Sequence, residues 1–320
     1  MNKTVSIIVC TYNGEQYLRE QLDSILAQTY PLYEVIIQDD GSTDDTLAIA
    51  REYAQLHPDL IRVYEHEIHN GWNINFLDAI KRATGDYIAC CDQDDVWEKD
   101  KIETQIREIG DNWLHVCSSN IWNGETMTPR YSNPGNIADV FLRYYYSGHE
   151  FLISKEMMPF IPVGIDIDIS HDRFLPIVAI YKNKLVTSHY LGVRWRRYEG
   201  TATGQQEHES TKKSGVGKVL YAMRHLISRK TSPVIKRGME KYVKTLTCLD
   251  ETDGSYPIAK TYIRLFDALA KQTVGSYIRA TKYLYQLHDE IWPGVPMSAG
   301  LLYTICTYPY RWWYEFRNDI

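Results

Sequence analysis

Short apolar runs and stretches of helical period alternate along the first hundred residues of this chain. Val5-Ser6-Ile7-Ile8-Val9-Cys10 has the length and composition of a buried strand, and the polar turn Thr11-Tyr12-Asn13-Gly14 closes it. Tyr17, Leu18, Leu22, Ile25 and Leu26 then recur at helical spacing and stop before Tyr30-Pro31. The same alternation follows three more times. A strand at Glu34 to Gln38 leads to a helix through Leu47, Ile49, Ala50 and Tyr53, with Ser42 and Asp45 at the spacing of a capping box. A strand at Ile61 to Tyr64 leads to a helix through Phe76, Ala79 and Ile80. A fourth strand at Tyr87 to Cys91 leads to a helix beginning near Glu98. This pattern predicts right-handed crossovers and an α/β fold, a mainly parallel sheet flanked by helices on both faces.

The pattern continues less regularly. Leu114 to Ser119 reads as a strand, Asn123-Gly124 as a turn, Asp139 to Tyr146 as helical and Gly148 to Ser154 as extended. Ser170-His171-Asp172 opens a helix reaching Tyr181, and Leu185 to Ser188 and Val193 to Arg196 read as two strands before the loop Glu199 to Gly204. Beyond Lys213 the period is helical throughout. The predicted division is therefore an α/β domain over residues 1–210 and a helical C-terminal extension over 211–320.

In a parallel sheet, ligands bind outside the carboxyl ends of the strands. Three polar turns converge there: Thr11-Tyr12-Asn13, Asp39-Asp40-Gly41-Ser42 and Asp92-Gln93-Asp94-Asp95. The last carries three carboxylates directly after an apolar strand. It reads either as a solvated, helix-capping turn or as a seat for a hard divalent cation such as Mg2+ or Mn2+, which takes oxygen ligands and shares its shell with phosphates. Neither G-x-G-x-x-G nor G-K-[ST] follows the first strand, which argues against a dinucleotide-binding or P-loop site.

Composition narrows the setting. With 320 residues, 44% of them hydrophobic, the chain has enough apolar sequence for a full core. A net charge of -6 offers no global attraction to nucleic acid. The six cysteines form no C-x-x-C pair and read as reduced core thiols of a cytoplasmic protein. No apolar run has the roughly 20 residues that cross a bilayer. However, Lys212 to Lys244 is strongly basic, and Leu301 to Phe316 mixes Tyr and Trp with Arg311. The two segments fit either a helical cap that packs on the protein or a peripheral contact with the anionic inner face of a membrane.

Taken together and in order, Val5 to Asn13, Asp39 to Ser42, Gly71 through Asn75-Phe76, Asp92 to Trp97 and His171-Asp172 closely resemble glycosyltransferase family 2. The Val96-Trp97 ending, with Gly148-His149 and then His171-Asp172, resembles most the bacterial rhamnosyltransferase-like subgroup. The resemblance covers roughly the first 205 residues. It implies the Rossmann-like glycosyltransferase A-type fold, a nucleotide-diphosphate sugar donor carried on UDP or dTDP, a divalent metal (Mg2+ or Mn2+) and inversion at the anomeric carbon. The acceptor it implies is a glycan or a lipid-linked glycan, as in capsule or O-antigen synthesis.

The resemblance also implies roles. Thr11, Tyr12, Asn13, Gly71 and Asn75 lie beside the donor, Asp40 accepts from its base and Asp39 supports that turn. Asp92 reaches the ribose or the metal's water, Asp94 binds the metal, and Asp95 supports the cluster or faces the sugar. Asp172 is the general base, opposite the leaving diphosphate. Trp97, His149 and His171 line the acceptor or sugar pocket, and Arg196 or Arg197 grips the diphosphate. Two positions depart from the family pattern. Tyr198 stands where relatives often have histidine, and His69 where many have asparagine two residues before the glycine. Other readings of the acidic site are a sugar-phosphate nucleotidyltransferase, or a scaffold that binds nucleotide sugar without catalysis.

Overall fold

The structure is a computed structural model that describes residues 3–133, 135–137, 140, 146–161, 169–198, 232–253, 259–271, 273–291 and 296. The chain divides into two compact units: Met1–Pro134 with Tyr145–Thr201, and Gly135–Tyr144 with Ala202–Ile320.

The first unit is built on a nine-stranded sheet. Its strands are β1 (Val5–Thr11), β2 (Glu34–Asp39), β3 (Ile61–Glu65), β4 (Tyr87–Asp92), β5 (Val96–Trp97), β6 (Leu114–Trp122), β7 (Met127–Arg130), β8 (Phe151–Ser154) and β9 (Leu185–Arg196). They lie in the order β3-β2-β1-β4-β8-β6-β9-β5, with β7 hairpinned onto β6. The first four strands are parallel, as the alternation of periods predicts. The sheet then becomes mixed, because β8 runs antiparallel to both β4 and β6.

Helices α1 (Leu18–Leu26), α2 (Thr46–Leu56), α3 (Trp72–Arg82), α4 (Lys101–Ile109) and α5 (His171–Tyr181) flank the sheet. In α1, Leu18, Leu22 and Ile25 are buried at positions i, i+4 and i+7, so one stripe packs against the sheet. α5 is different. Ten of its eleven residues are buried, which is why its apolar pattern is nearly continuous.

Some local expectations are corrected. Ser42 does not cap α2, because its hydroxyl is bonded to Asp39 instead; Asp44 accepts from the Thr46 N–H. Gly148–Glu150 is a 3-10 turn rather than extended chain, with Ser147 and Glu150 closing a capping box. The two strands read at 185–188 and 193–196 form one strand, β9, whose register against β6 shifts between Val116 and Ser119. The bulge interrupts the hydrophobic alternation, and so the sequence reads as two pieces. Cys10, Cys90, Cys91 and Cys117 are buried free thiols, whereas Cys248 is exposed and therefore not a core residue. The expected helix at 139–146, the loop at 199–204 and the aromatic tail at 301–316 lie largely or wholly outside the described residues.

The second unit is helical where described, with α6 (Ser232–Asp253), α7 (Ala259–Ala270), α8 (Val274–Gln286) and α9 (His288–Ile291). Tyr242, Leu246, Tyr262, Phe266 and Leu284 are among its buried residues. α8 begins with a capping box between Thr273 and Ser276. Among the described residues, no helix is long and apolar enough to cross a membrane.

One buried acid ties the parallel strands together at the end of the sheet away from the three turns. Glu34 opens β2 beside Ser6, and its Oε1 accepts from Ser6 Oγ (2.7 Å) and from Thr84 N and Oγ1 (2.8 Å each). Arg62 reaches Oε2 at 2.8 Å. Burial raises the Glu34 pKa, but these hydrogen bonds and the Arg62 charge outweigh it and hold the carboxyl below its ordinary value. A depressed carboxylate stabilises the fold above the unfolded pKa of about 4.3, and that contribution disappears as pH falls through the folded value. We therefore predict that Glu34→Gln costs about 1–3 kcal/mol at pH 7. Its urea midpoint should approach that of the wild type as the pH is lowered from 5 to 3, and a gap that stays constant over this range would remove the ionised carboxylate from the account.

Candidate active site

The strand register brings the polar turns together. Thr11 is paired with Asp39 across β1 and β2, and Cys10 with Asp92 across β1 and β4, so the strands reach their carboxyl ends nearly level. β8 pairs with β4 only from Tyr87 to Ala89. Beyond Ala89 that edge of β4 lies against the 3-10 turn Gly148–Glu150, which delivers His149 to the acidic strand end.

The turn after β2 is held from within. Asp39 is fully buried, and its two oxygens accept from Gly41 N (3.1 Å), Ser42 N (2.8 Å), Ser42 Oγ (2.6 Å) and Thr11 Oγ1 (2.8 Å). Four donors satisfy the carboxylate, which holds the turn from within. Gly41, at φ 79°, takes the left-handed conformation that the turn requires.

Neighbouring turns are laced together by side chains. Asn13 sits at φ 48°, where asparagine is tolerated. Its N–H donates to Ser42 Oγ (2.9 Å), and its Oδ1 accepts from Thr43 N (2.9 Å). Gln93 pairs with the Tyr12 backbone in both directions, accepting from Tyr12 N at 2.8 Å and donating to Tyr12 O at 3.0 Å. Asn75 is buried on α3 and donates to Gln38 O (2.9 Å) and Thr11 O (3.4 Å), the carbonyls at the strand ends. Asn13 and Asn75 thus hold the walls of the region that the sequence assigns to the donor.

Asp40 is also fully committed. Oδ1 accepts from Asn70 N (3.0 Å) and contacts His66 Nδ1 (2.9 Å). Oδ2 accepts from Gly71 N (2.8 Å) and contacts His69 Nδ1 (2.8 Å). Gly71, at φ 91°, turns the chain into α3.

The acidic turn after β4 is less completely satisfied. His149 Nδ1 lies 3.1 Å from Asp92 Oδ2 and 3.3 Å from Asp95 Oδ2. Ligand atoms of Asp92, Asp95 and His149 all fall within 4.8 Å of one another. Asp94, which the sequence pairs with Asp92 as a metal ligand, is not in this group and accepts from Tyr198 OH at 3.1 Å. Asp95 is instead turned inward, where Oδ1 accepts the Arg196 N–H at 3.0 Å and Oδ2 is buried without a hydrogen bond. The carboxyls of Asp94 and Asp95 are both raised, first by burial and then by the neighbouring acids. For His149, burial works against the charged form, but Asp95 and Asp92 outweigh it and raise its pKa.

A buried network that sequence reasoning missed holds His149 in place. Ser119 Oγ lies 3.3 Å from His149 Nε2 and donates to Glu150 Oε1 at 2.6 Å. Arg130 pairs with the same buried Glu150 oxygen at 2.7 Å. Trp195 packs against the His149 ring, with centroids 5.1 Å apart. These residues come from β6, β7, the 3-10 turn and β9, and no local motif signals their meeting.

The remaining candidates separate. Trp97 is a core residue on β5, and Lys101 Nζ, from the start of α4, lies 3.9 Å over its ring. Arg196 lies between Tyr17 (4.5 Å) and Trp122 (4.3 Å), donates to Asp94 O and is paired with Glu20 at 2.5 Å. It braces the acidic turn. Arg197 stacks over Trp195 at 3.8 Å.

His171 and Asp172 open α5 and are both buried. His171 stacks on Phe76 at 4.3 Å, and its backbone N–H donates to Asn73 Oδ1 at 2.7 Å. Burial lowers its pKa and keeps the ring neutral. Asp172 lies in the first helical turn, where the aligned peptide dipoles favour a negative charge.

Over 151 residues the chain is 34% identical to the dTDP-rhamnosyl transferase RfbG of Shigella flexneri, covering 46% of this chain and 45% of that protein. Over 102 residues it is 39% identical to the putative teichuronic acid biosynthesis glycosyltransferase TuaG of Bacillus subtilis, covering 32% and 40%. The matches therefore span less than half the length of these relatives. Among solved structures, S. aureus TarS 1-349 in complex with UDP-GlcNAc superimposes with a TM-score of 0.53 at 19% identity, over 99% of this chain and 92% of that one. The mannosyltransferase PcManGT of Pyrobaculum calidifontis, in complex with GDP-Man and Mn2+, gives 0.52 at 18% identity, over 99% and 85%. At such identity the likeness is one of fold, the glycosyltransferase A type. The family model described as glycosyl transferase family 2 matches residues 6–167, and this chain belongs to that family.

Proposed function

We propose that the protein is an inverting, divalent-metal-dependent glycosyltransferase. It moves a sugar from a nucleotide-diphosphate donor to a hydroxyl of a glycan or lipid-linked acceptor in bacterial surface polysaccharide synthesis. The observation that carries the reading is the convergence of Asp92, Asp95 and His149 at the carboxyl end of β4, in register with the turns after β1 and β2. Two relatives, named for dTDP-rhamnosyl transfer and for teichuronic acid synthesis, support the polysaccharide setting. The basic residues Lys236, Arg237 and Lys244, exposed on α6, support a peripheral contact with an anionic membrane face.

A cation fits the acidic turn. Asp95 Oδ2 is a buried oxygen without a hydrogen bond, and burial of this kind disfavours the carboxylate unless positive charge comes close. Two carboxylates and an imidazole suit Mn2+ or Mg2+, with the nitrogen favouring Mn2+. We place the ion on Asp92, Asp95 and His149, where it would stabilise the negative charge growing on the leaving diphosphate. Asp92, whose side chain is 38% exposed, is the member of the group that faces solvent. Tyr198 and Arg196 fix Asp94 beside it.

The chain's own groups would do the rest. The Thr11-Tyr12-Asn13 turn and the Asp40 turn would receive the nucleoside. Asp172 would take the proton from the attacking hydroxyl, on the face opposite the diphosphate, so that no covalent sugar intermediate is required. His171 sits beside it, with its pKa lowered by burial.

Two measurements test these roles. Asp172→Asn should lower transfer by about 100-fold or more, while donor affinity by calorimetry stays within about threefold; near-normal turnover would remove Asp172 as the base. Mn2+ titrations of the donor-free protein test the ion site independently of activity. Asp92→Asn and Asp95→Asn should each weaken binding by about tenfold or more, and Asp94→Asn by much less. The reverse ranking of Asp95 and Asp94 would move the ion to Asp92 and Asp94, the pair that the sequence singles out.

A further inference from the structure

We propose that Glu150, acting through the hydroxyl of Ser119, keeps a proton on Nε2 of His149 and thereby leaves the Nδ1 lone pair for the cation. Ser119 and Glu150 are positioning residues in this account. The proposal rests on the ion placement given above and goes beyond it in naming what makes His149 a metal ligand.

The protons around Glu150 can be counted. Its side chain is fully buried. Oε1 accepts from Ser119 Oγ at 2.6 Å and from Arg130 at 2.7 Å, and Oε2 accepts from Ser132 Oγ and the Ser147 N–H at 3.2 Å each. A carboxylate has about four acceptor positions, and here each oxygen receives two donors. Glu150 is therefore an acceptor only, and the one hydroxyl proton of Ser119 is spent on it. On its other side Ser119 can offer nothing but an oxygen lone pair. His149 Nε2 lies 3.3 Å from that oxygen, and its ring is buried away from bulk water. It faces an acceptor, so it carries a proton.

The other ring nitrogen has the opposite surroundings. Nδ1 lies 3.1 Å from Asp92 Oδ2 and 3.3 Å from Asp95 Oδ2, the oxygens with which it would share the ion. A neutral imidazole has one N–H and one lone pair. Without an acceptor at Nε2, its proton would settle on Nδ1 between the two acids, and a protonated nitrogen binds no metal. With Ser119 polarised by the Glu150 charge, the proton stays on Nε2 and Nδ1 becomes the better donor. Trp195 packs on the imidazole at 5.1 Å, and the Arg130 guanidinium that pairs with Glu150 also lies 5.2 Å from the Trp195 ring centroid. The same arginine thus supports the carboxylate and the wall that orients the ring.

A hydroxyl that only fills space can be replaced by a thiol, whereas a thiol sulfur is a weak acceptor. Ser119→Ala and Ser119→Cys, in the full chain, separate the two roles. Titrated Mn2+ should bind Ser119→Ala about tenfold or more weakly than the wild type, and Ser119→Cys should resemble Ser119→Ala. Electron spin-echo spectra of bound Mn2+ should show a directly coordinated imidazole nitrogen in the wild type, absent from His149→Ala and diminished in both Ser119 variants. Nitrogen–proton NMR of the ion-free wild type, which needs no variant to fold, should show a slowly exchanging proton on His149 Nε2. An unprotonated Nε2 there, or wild-type Mn2+ affinity and nitrogen coupling in Ser119→Ala, would overturn the relay and leave the ion placement standing. Recovery of both by Ser119→Cys would reduce Ser119 to packing and overturn it equally. If the wild type binds Mn2+ without a nitrogen ligand, or binds none, the ion placement fails and this inference fails with it.

Discussion

The constraint on which the site depends is the crowding of carboxylates at one edge of a parallel sheet. Asp39, Asp40, Asp92, Asp94 and Asp95 all follow strands that end nearly level, and each must find donors or positive charge close by. The solutions differ along the edge. At β2 the backbone and nearby side chains supply enough donors to saturate Asp39 and Asp40. At β4 they do not, and the demand that remains is met in part by His149 and left open at Asp95 Oδ2. The first two acids are therefore architectural in the ligand-free protein, and the later three form the electrostatically unfinished part of the molecule.

That difference follows from topology. β2 has parallel neighbours on both sides, and the N–H groups pointing back at its acids come from its own turn and from the segment after β3. β4 has a parallel neighbour on one side only; on the other, the antiparallel β8 covers just its first residues. The uncovered edge is where His149 enters, carried by a capped turn and braced through Ser119, Glu150 and Arg130. A buried ion pair such as Glu150–Arg130 is weak support for stability in itself. Its value here is positional, since it fixes the imidazole that faces the acidic turn.

The four parallel strands and their helices were legible in the sequence because each shows one clear period, with Val5 to Cys10 and Leu18-Leu22-Ile25 as the plainest cases. The mixed half was not, since β8 is four residues long and the bulge in β9 breaks its alternation. Asp92 and Asp95 were legible as an acidic cluster, but which oxygens meet His149 depends on the pairing of β5 with β9, a contact between residues about a hundred positions apart. Likewise Arg196 appeared as a free cation suited to a diphosphate. In the fold Tyr17, Trp122 and Glu20 enclose it, and none of them is its neighbour in sequence. Sequence reports charge, and the fold decides whether that charge is already used.

The same distinction bears on the start of α5. Its first turn carries partial positive charge from aligned backbone dipoles, and Asp172 lies there beside His171, whose pKa is lowered by burial. Asn73 and Phe76, both on α3, fix His171 from the opposite side. α3 begins at Gly71, whose N–H is bonded to Asp40. A chain of direct contacts thus runs from the turn after β2, through α3, to the start of α5. A substitution that loosens Gly71 would disturb the turn after β2 and the start of α5 together.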